Sequence, residues 1–175
     1  MSDGNCGVNL NRRTTGFTSS NVLADTFNKQ LAYKVGEVLA KESKEYGIAI
    51  NLGPGGNLHR NLLCGRHPEY FSEDPILTGT LMAYQARGQE ENGVRATYKH
   101  FLANGSELER KSSPSLMNER TLRQLHMRVS DKALSLYKPS CEPTRYNSDK
   151  RILPRRSAQL ITRLLPHTWR CTGVG

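Results

Sequence analysis

The chain has 175 residues, 36% of them hydrophobic and 23% charged, with a formal net charge of +9, which suits one globular domain with a core. It holds no run of about 18 apolar residues, so no helical membrane span is expected, and Met1-Ser2-Asp3-Gly4 opens no basic-then-apolar leader, so the expectation for a complete chain is cytoplasmic. The positive charge is concentrated from Lys138 onward with no nucleic-acid motif and, in that stretch, only Tyr146 and Trp169 as aromatics, so a solvated basic face is expected, with neither nucleic acid nor membrane as a partner.

The first clear unit covers residues 19–43. Asn21 or Asp25 can start a helix there, and Leu31, Val35, Val38 and Leu39 recur at helical spacing opposite Glu37, Lys41 and Glu42. After Tyr46-Gly47, the run Ile48-Ala49-Ile50-Asn51-Leu52 reads as a buried strand, stopped by Gly53-Pro54-Gly55-Gly56. A long loop extends to Asp74, and loops of that length are usually functional. Pro75 suits a first helical turn, so a second helix is expected from there to about Glu91, closed by Asn92-Gly93. Val94-Arg95-Ala96-Thr97-Tyr98 is the next strand, delivering Lys99-His100 at its end. A third helix fits residues 118–136, with Leu122, Leu125, Val129 and Leu134 on its apolar side. Residues 138–141 take the place of another strand, residues 157–169 give a fourth helical pattern, and Gly173-Val174-Gly175 stands where a further strand would begin. Alternation of helix and strand argues for an α/β fold with a parallel sheet, whose functional loops lie at the carboxyl ends of the strands.

Asn57, His59, Arg60, Asn61 and Arg66 fill one strand-end loop, Lys99 and His100 end the next strand, and Asn104, Ser106 and Glu107 follow. Such a set of hydrogen-bonding groups suits a polyhydroxylated or anionic ligand. The alternative for Arg66 is an ion pair with Glu69 or Glu73 that merely holds the loop. For Lys99-His100 that alternative is weaker, because two cation-capable residues ending an apolar strand are costly to bury without partners. His59 reads as a structural histidine, since no nucleophile or metal motif accompanies it. The glycine-rich stretch at 53–56 lacks the Gly-Lys-Ser/Thr of a phosphate loop. Cys6, Cys64, Cys141 and Cys171 are scattered, so free thiols are expected, with no metal and no cofactor.

Phe27-Asn28, Leu31-Ala32, Val35-Gly36 and Glu42 lead into Gly53-Pro54-Gly55. Asn57-Leu58-His59-Arg60-Asn61, Cys64-Gly65-Arg66, Glu69-Tyr70-Phe71-Ser72-Glu73-Asp74-Pro75, Lys99-His100-Phe101 and Glu119-Arg120-Thr121-Leu122-Arg123 follow. In that order and spacing these segments resemble the N-terminal barrel domain of family 3 glycoside hydrolases, over essentially the whole chain and most strongly from Thr18 to Leu136. The resemblance implies a TIM-type (β/α) barrel, of which 175 residues supply about half of the eight units. It implies hydrolysis of terminal non-reducing β-D-glucosyl or related residues by a retaining mechanism with two carboxyl groups, on a β-glucoside or oligosaccharide. It carries a sugar-binding role onto Asp3, Arg66, Lys99, His100 and Tyr146. It places the nucleophilic aspartate a few residues beyond Val174 and the acid/base in a following domain, so the expectation is a chain that carries no catalytic residue and is inactive alone. The other expectation is a noncatalytic remnant that binds sugar or pairs with a fuller relative.

The resemblance has gaps. Asn5-Cys6 replaces a common proline and its small or histidine neighbour, and Asn9 stands where some members carry a sugar-binding arginine. Glu142-Pro143, Asp149-Lys150-Arg151 and Pro166 depart from the pattern, so residues 138–175 read as a degraded, basic C-terminal part of the fragment.

Overall fold

The structure is a computed structural model, and it describes residues 1–100, 103–107 and 117–141. Its elements are β1 (Ser2–Asp3), α1 (Ser20–Asp25), α2 (Lys29–Glu45), β2 (Ile50–Leu52), a single 3-10 turn (His67–Glu69), α3 (Pro75–Glu91), β3 (Arg95–Ala96), α4 (Glu119–Thr121) and α5 (Arg128–Leu136). A π-helical stretch, Leu122–Met127, joins α4 to α5. The three strands form one parallel sheet in the order β1-β2-β3, with Asp3 beside Leu52 and Asn51 beside Ala96. Parallel neighbours need crossover connections, and α1–α2 and α3 supply them.

Pairing continues past the short strands. Thr97 N donates to Gly53 O at 3.0 Å, Lys99 N to Pro54 O at 3.2 Å and Gly56 N to Lys99 O at 2.6 Å. Gly55 bridges both Tyr70 and Lys99. The loop after β2, the 3-10 turn and the end of β3 therefore meet at one edge, where Asp3 also ends β1. The expected strand at 138–141 is a lone bridge, Thr97 to Cys141. Glu90, at the end of α3, holds that segment through Ser140 N (2.7 Å), Ser140 Oγ (2.9 Å) and Tyr137 OH (3.0 Å).

The first helical unit departs from the sequence expectation. It breaks at Thr26–Phe27, where Phe27 has a φ of 50°, and Asn28, not Asn21 or Asp25, caps α2 by accepting from Leu31 N at 3.0 Å. The buried face of α2 is Ala32, Gly36, Leu39, Ala40 and Ser43, while Leu31 and Val38 are exposed by 40% and 39%. The cause is a close crossing of α2 on α3: small residues occupy the interface beside Leu39, and Leu31 and Val38 turn toward its rim.

α3 is buried nearly all round, from Thr78 and Leu81 to Gln85, Ala86 and Gln89, because α2 and α5 pack on it and the sheet lies beneath. Leu58, Phe71, Leu81, Met82, Tyr98 and Val129 form the main core, and Val8, Leu39 and Ile48 a second cluster near β1. Full burial of a side chain such as Phe71 or Leu81 contributes about 1.5–3 kcal/mol. Asp74 starts α3, its Oδ1 accepting from Ile76 N at 2.8 Å and Leu77 N at 2.7 Å. Asp74→Ala leaves both donors without this acceptor and is expected to cost about 1 kcal/mol, visible as a lower urea midpoint. The helical pattern at 157–169, the departures at 142–166 and Gly173-Val174-Gly175 lie outside the described residues.

Candidate functional site

Asp3, Arg66, Lys99 and His100 converge at the carboxyl end of the sheet, and one carboxylate, Glu69, ties them together. Asp3 comes from β1, Arg66 and Glu69 from the 3-10 turn and the residue before it, and Lys99-His100 from the extension of β3. Lys99 is buried, its side chain 2% exposed, and its ammonium binds Asp3 Oδ1 and lies 3.3 Å from Glu69 Oε2. Asp3 is half-exposed and gives the cluster its opening to solvent. The other oxygen, Glu69 Oε1, pairs with Arg66 Nε at 2.5 Å. Asn5 Nδ2 donates to Glu69 Oε2 at 2.6 Å, a donor that proline at this position would lack.

Burial opposes the charge of Arg66, but the Glu69 carboxylate more than offsets it and holds the guanidinium above its ordinary pKa. The cluster thus pairs two cations with two carboxylates. A neutral balance of that kind lets charged groups remain buried.

His100 is fixed on three sides. Its backbone N donates to Asn57 Oδ1 at 2.9 Å, its Nε2 lies 3.3 Å from Arg66 Nη2, and its Nδ1 lies 2.9 Å from the Tyr70 hydroxyl. The Lys99–His100 peptide is cis. Arginine can only donate, so the Arg66 contact asks Nε2 to accept and leaves the proton on Nδ1, which faces Tyr70 and lies 3.9 Å from Glu69 Oε1. Asn104 Nδ2 also donates to Tyr70 OH, at 3.0 Å. Burial, and then the Glu69 charge, push the Tyr70 phenol well above its ordinary value, so it stays protonated.

A cavity of about 370 Å³ opens beside Asp3 and Glu69, walled by Asn5, Cys6, Asn9 and Thr15, a size within the range of small-molecule sites, about 300–1,000 Å³. Its wall mixes the hydrogen-bonding groups of Asn5, Asn9 and Thr15 with Val8, Pro68 and several glycines, and the carboxylates of Asp3 and Glu69 are the members of the cluster that line it. That combination suits a ligand with many hydroxyls, since hydrogen bonds to charged groups are shorter and stronger than neutral ones.

The sequence expectations fare differently residue by residue. Asp3, Arg66, Lys99 and His100 are brought together, and Tyr146 lies outside the described residues. Arg66 does pair with Glu69, as the loop-holding alternative required, but the same carboxylate also reaches Lys99. His59 stacks on His67 at 4.2 Å and its Nε2 lies 3.1 Å from Tyr70 O, a structural placement. Asn61 Oδ1 accepts from Leu63 N at 3.1 Å and shapes the loop tip. Tyr70 was legible only as part of a motif, and its role beside His100 had no local signal. Cys6, Cys64 and Cys141 are free thiols, and Cys171 lies outside the described residues.

Comparison with known proteins shows what the chain is similar to. Residues 2–137 match the glycosyl hydrolase family 3 N terminal domain. Among curated relatives, beta-glucosidase A of Butyrivibrio fibrisolvens is 36% identical over 98% of the chain and 21% of its own length. Thermostable beta-glucosidase B of Acetivibrio thermocellus is 35% identical over 93% of the chain and 22% of its own length. Among solved structures, beta-glucosidase 3B of Thermotoga neapolitana in complex with glucose superposes with a TM-score of 0.80 at 37% identity, over 84% of this chain and 22% of that one. The family 3 beta-glucosidase of Bifidobacterium adolescentis gives a TM-score of 0.89 at 30% identity, over 99% of this chain and 26% of that one. The chain spans about a fifth of the length of the curated relatives it matches.

Proposed function

The chain belongs to glycosyl hydrolase family 3, and from that premise we propose that its strand-end cluster is the glucosyl-binding subsite of a retaining β-glucosidase-type enzyme. The observation that carries this reading is the convergence of Asp3, Arg66, Lys99 and His100 around Glu69 at the carboxyl end of the sheet, with Asp3 and Glu69 lining a cavity, in a chain 37% identical to a β-glucosidase solved with glucose. On this reading the three parallel strands and their helices are part of a (β/α) barrel, about half of its eight units. Residues 138–175 are its degraded, basic end, and Tyr146 is a further sugar ligand.

Binding follows from the charges. Asp3, half-exposed, accepts from sugar hydroxyls, while Lys99 and Arg66 donate to hydroxyl oxygens. Several convergent contacts of this kind fix one ring in one orientation. Glycosidic cleavage asks for more: a carboxylate that attacks and a carboxyl that protonates, about 5–5.5 Å apart in retaining enzymes. Asp3 and Glu69 are both engaged by the same buried Lys99 ammonium, so neither is placed to attack a sugar carbon or to protonate a leaving oxygen. We therefore assign these residues to substrate binding and orientation, with the bond-breaking carboxylates supplied from outside the cluster.

Calorimetric titration of the 175-residue chain with glucose tests the assignment. Saturable binding is expected with a Kd on the order of 1 mM, equivalent to about −4 kcal/mol, together with no release of p-nitrophenol from p-nitrophenyl β-D-glucoside. Heats that never saturate would remove the sugar site. Hydrolysis lost on Asp3→Asn would return catalysis to the cluster.

A further inference from the structure

We propose that Glu69 is a positioning residue that sets the distance and orientation between the two cationic sugar ligands, Arg66 and Lys99, an inference that rests on the sugar-site reading above. Its carboxylate is divided. Oε1 is engaged by Arg66 Nε at 2.5 Å, and Oε2 stands 3.3 Å from Lys99 Nζ. Arg66 and Lys99 lie 33 positions apart in sequence (99 minus 66) on different segments, so their spacing is not fixed by the chain between them. Two cations converging without an anion between them repel, and at low solvent exposure that repulsion is weakly screened. The Glu69 side chain is 16% exposed and lies between them.

Asn5 fixes the carboxylate itself. Its Nδ2 donates to Glu69 Oε2 at 2.6 Å from the segment after β1, and Gln85 Nε2 of α3 holds the Asn5 carbonyl at 3.2 Å. The anion is thus anchored to the core helix as well as to its own turn. Its influence extends to His100 directly, Oε1 lying 3.9 Å from His100 Nδ1, and through Arg66, because the Nη2 that faces His100 Nε2 belongs to the guanidinium whose Nε is held by Glu69. A residue that only held the loop would need the Arg66 contact alone. The second oxygen, shared by Lys99 and Asn5, is what a positioning role requires.

Two variants test this on the full 175-residue chain. Glu69→Gln is nearly isosteric but cannot hold two cations. Asn5→Ala keeps the carboxylate and removes its anchor. The first readout needs no sugar: long-range ¹H–¹⁵N correlation of His100, assigned by its loss in His100→Gln. Wild type is expected to display a protonated Nδ1 and a bare Nε2. Glu69→Gln is expected to lose that pattern, and Asn5→Ala to change it in the same direction. The second readout is glucose affinity, expected to fall at least tenfold in Glu69→Gln and two- to fivefold in Asn5→Ala. A lowered melting temperature with unchanged His100 signals and unchanged glucose affinity would reduce Glu69 to a loop tether and overturn the proposal. If Glu69→Gln does not fold, unchanged His100 signals in Asn5→Ala overturn it equally. If wild type binds no glucose, the sugar reading falls, while the His100 spectra still decide whether Glu69 orders the cluster.

Discussion

Gly36→Ala and Gly88→Ala are each expected to destabilise the chain by about 3 kcal/mol, although alanine is the better helix former by up to about 1 kcal/mol. The two glycines face each other's helix where α2 crosses α3. A Cβ built on Gly36 would stand 2.1 Å from the Gln85 carbonyl oxygen, and one on Gly88 would stand 2.1 Å from the Tyr33 carbonyl oxygen. Both obstructing atoms are backbone, so no side chain can rotate aside and the helices must separate. Separation uncovers Ala32, Leu39, Ala40, Ala83 and Ala86, all of them buried at the crossing or beside it. Stabilities of small domains are about 5–15 kcal/mol, so either change removes a large part of the total. Urea unfolding followed by circular dichroism measures it, with Gly16→Ala as the control, since no atom lies within 4 Å of a Cβ built there. Wild-type midpoints in both helical variants would mean that the crossing is looser than its geometry.

The same crossing explains which parts of the fold were legible in the sequence. Features with a local cause were read correctly: the start of α3 at Pro75, which Asp74 caps, and its end at Asn92-Gly93 with Gly93 at a φ of 84°. The single helix expected over 118–136 instead starts after its cap, Asn118, and is interrupted by the π-helical stretch Leu122–Met127. The buried face of α2 was read in part: Leu39 is fully buried and Val35 packs against the core, but Leu31 and Val38 are exposed. Periodicity searches follow large apolar residues, and here Leu31, Val35 and Val38 outweigh the Ala32, Gly36 and Ala40 stripe that makes the contact. The break between α1 and α2 also lacked a glycine or proline. It is made by Thr26 Oγ1, which donates to Leu23 O at 2.7 Å and accepts from Asn28 N at 3.2 Å, an arrangement that competes locally with the helix.

The site divides along a similar line. Arg66, Lys99 and His100 could be singled out because charged groups at strand ends announce themselves, and Asp3 through the family resemblance. Asn104 could be singled out only as one of the polar residues that follow Lys99-His100, and Tyr70 could not. Tyr70, beside Phe71, reads as core, and it is fully buried. Its hydroxyl acquires a function only because Gly55 brings it next to the end of β3, and because Ala103, at a φ of 64°, precedes the Asn104 that donates to it. Glu69 was legible as a partner of Arg66, three residues away. Its hold on Lys99 depends on sheet register, which no window of sequence contains.

Lys99→Ala should be the most damaging change in the site, for stability and for sugar binding together. The ammonium is buried between Asp3 and Glu69. Truncation removes the cation, leaves two carboxylates facing one another and empties the space of its four-carbon stem. Breaking a buried ion pair by deleting one partner costs about 3–5 kcal/mol. Asp3 is 50% exposed, so water offsets part of that, and a loss near the lower end, about 3 kcal/mol, is expected. Lys99→Met separates the two contributions, since it keeps the apolar stem and deletes only the charge. Both variants lose a charged hydrogen bond to the ligand, about 1.5–3 kcal/mol, which lowers glucose affinity roughly 10- to 150-fold. Urea midpoints and glucose titrations on the three proteins check both effects. If Lys99→Met regained the packing part of the stability yet bound glucose no better than Lys99→Ala, the ammonium would be the group that holds the sugar. If Lys99→Met bound glucose as tightly as wild type, the buried charge would serve the fold alone, and the sugar would have to be held by Asp3 and Arg66 without it.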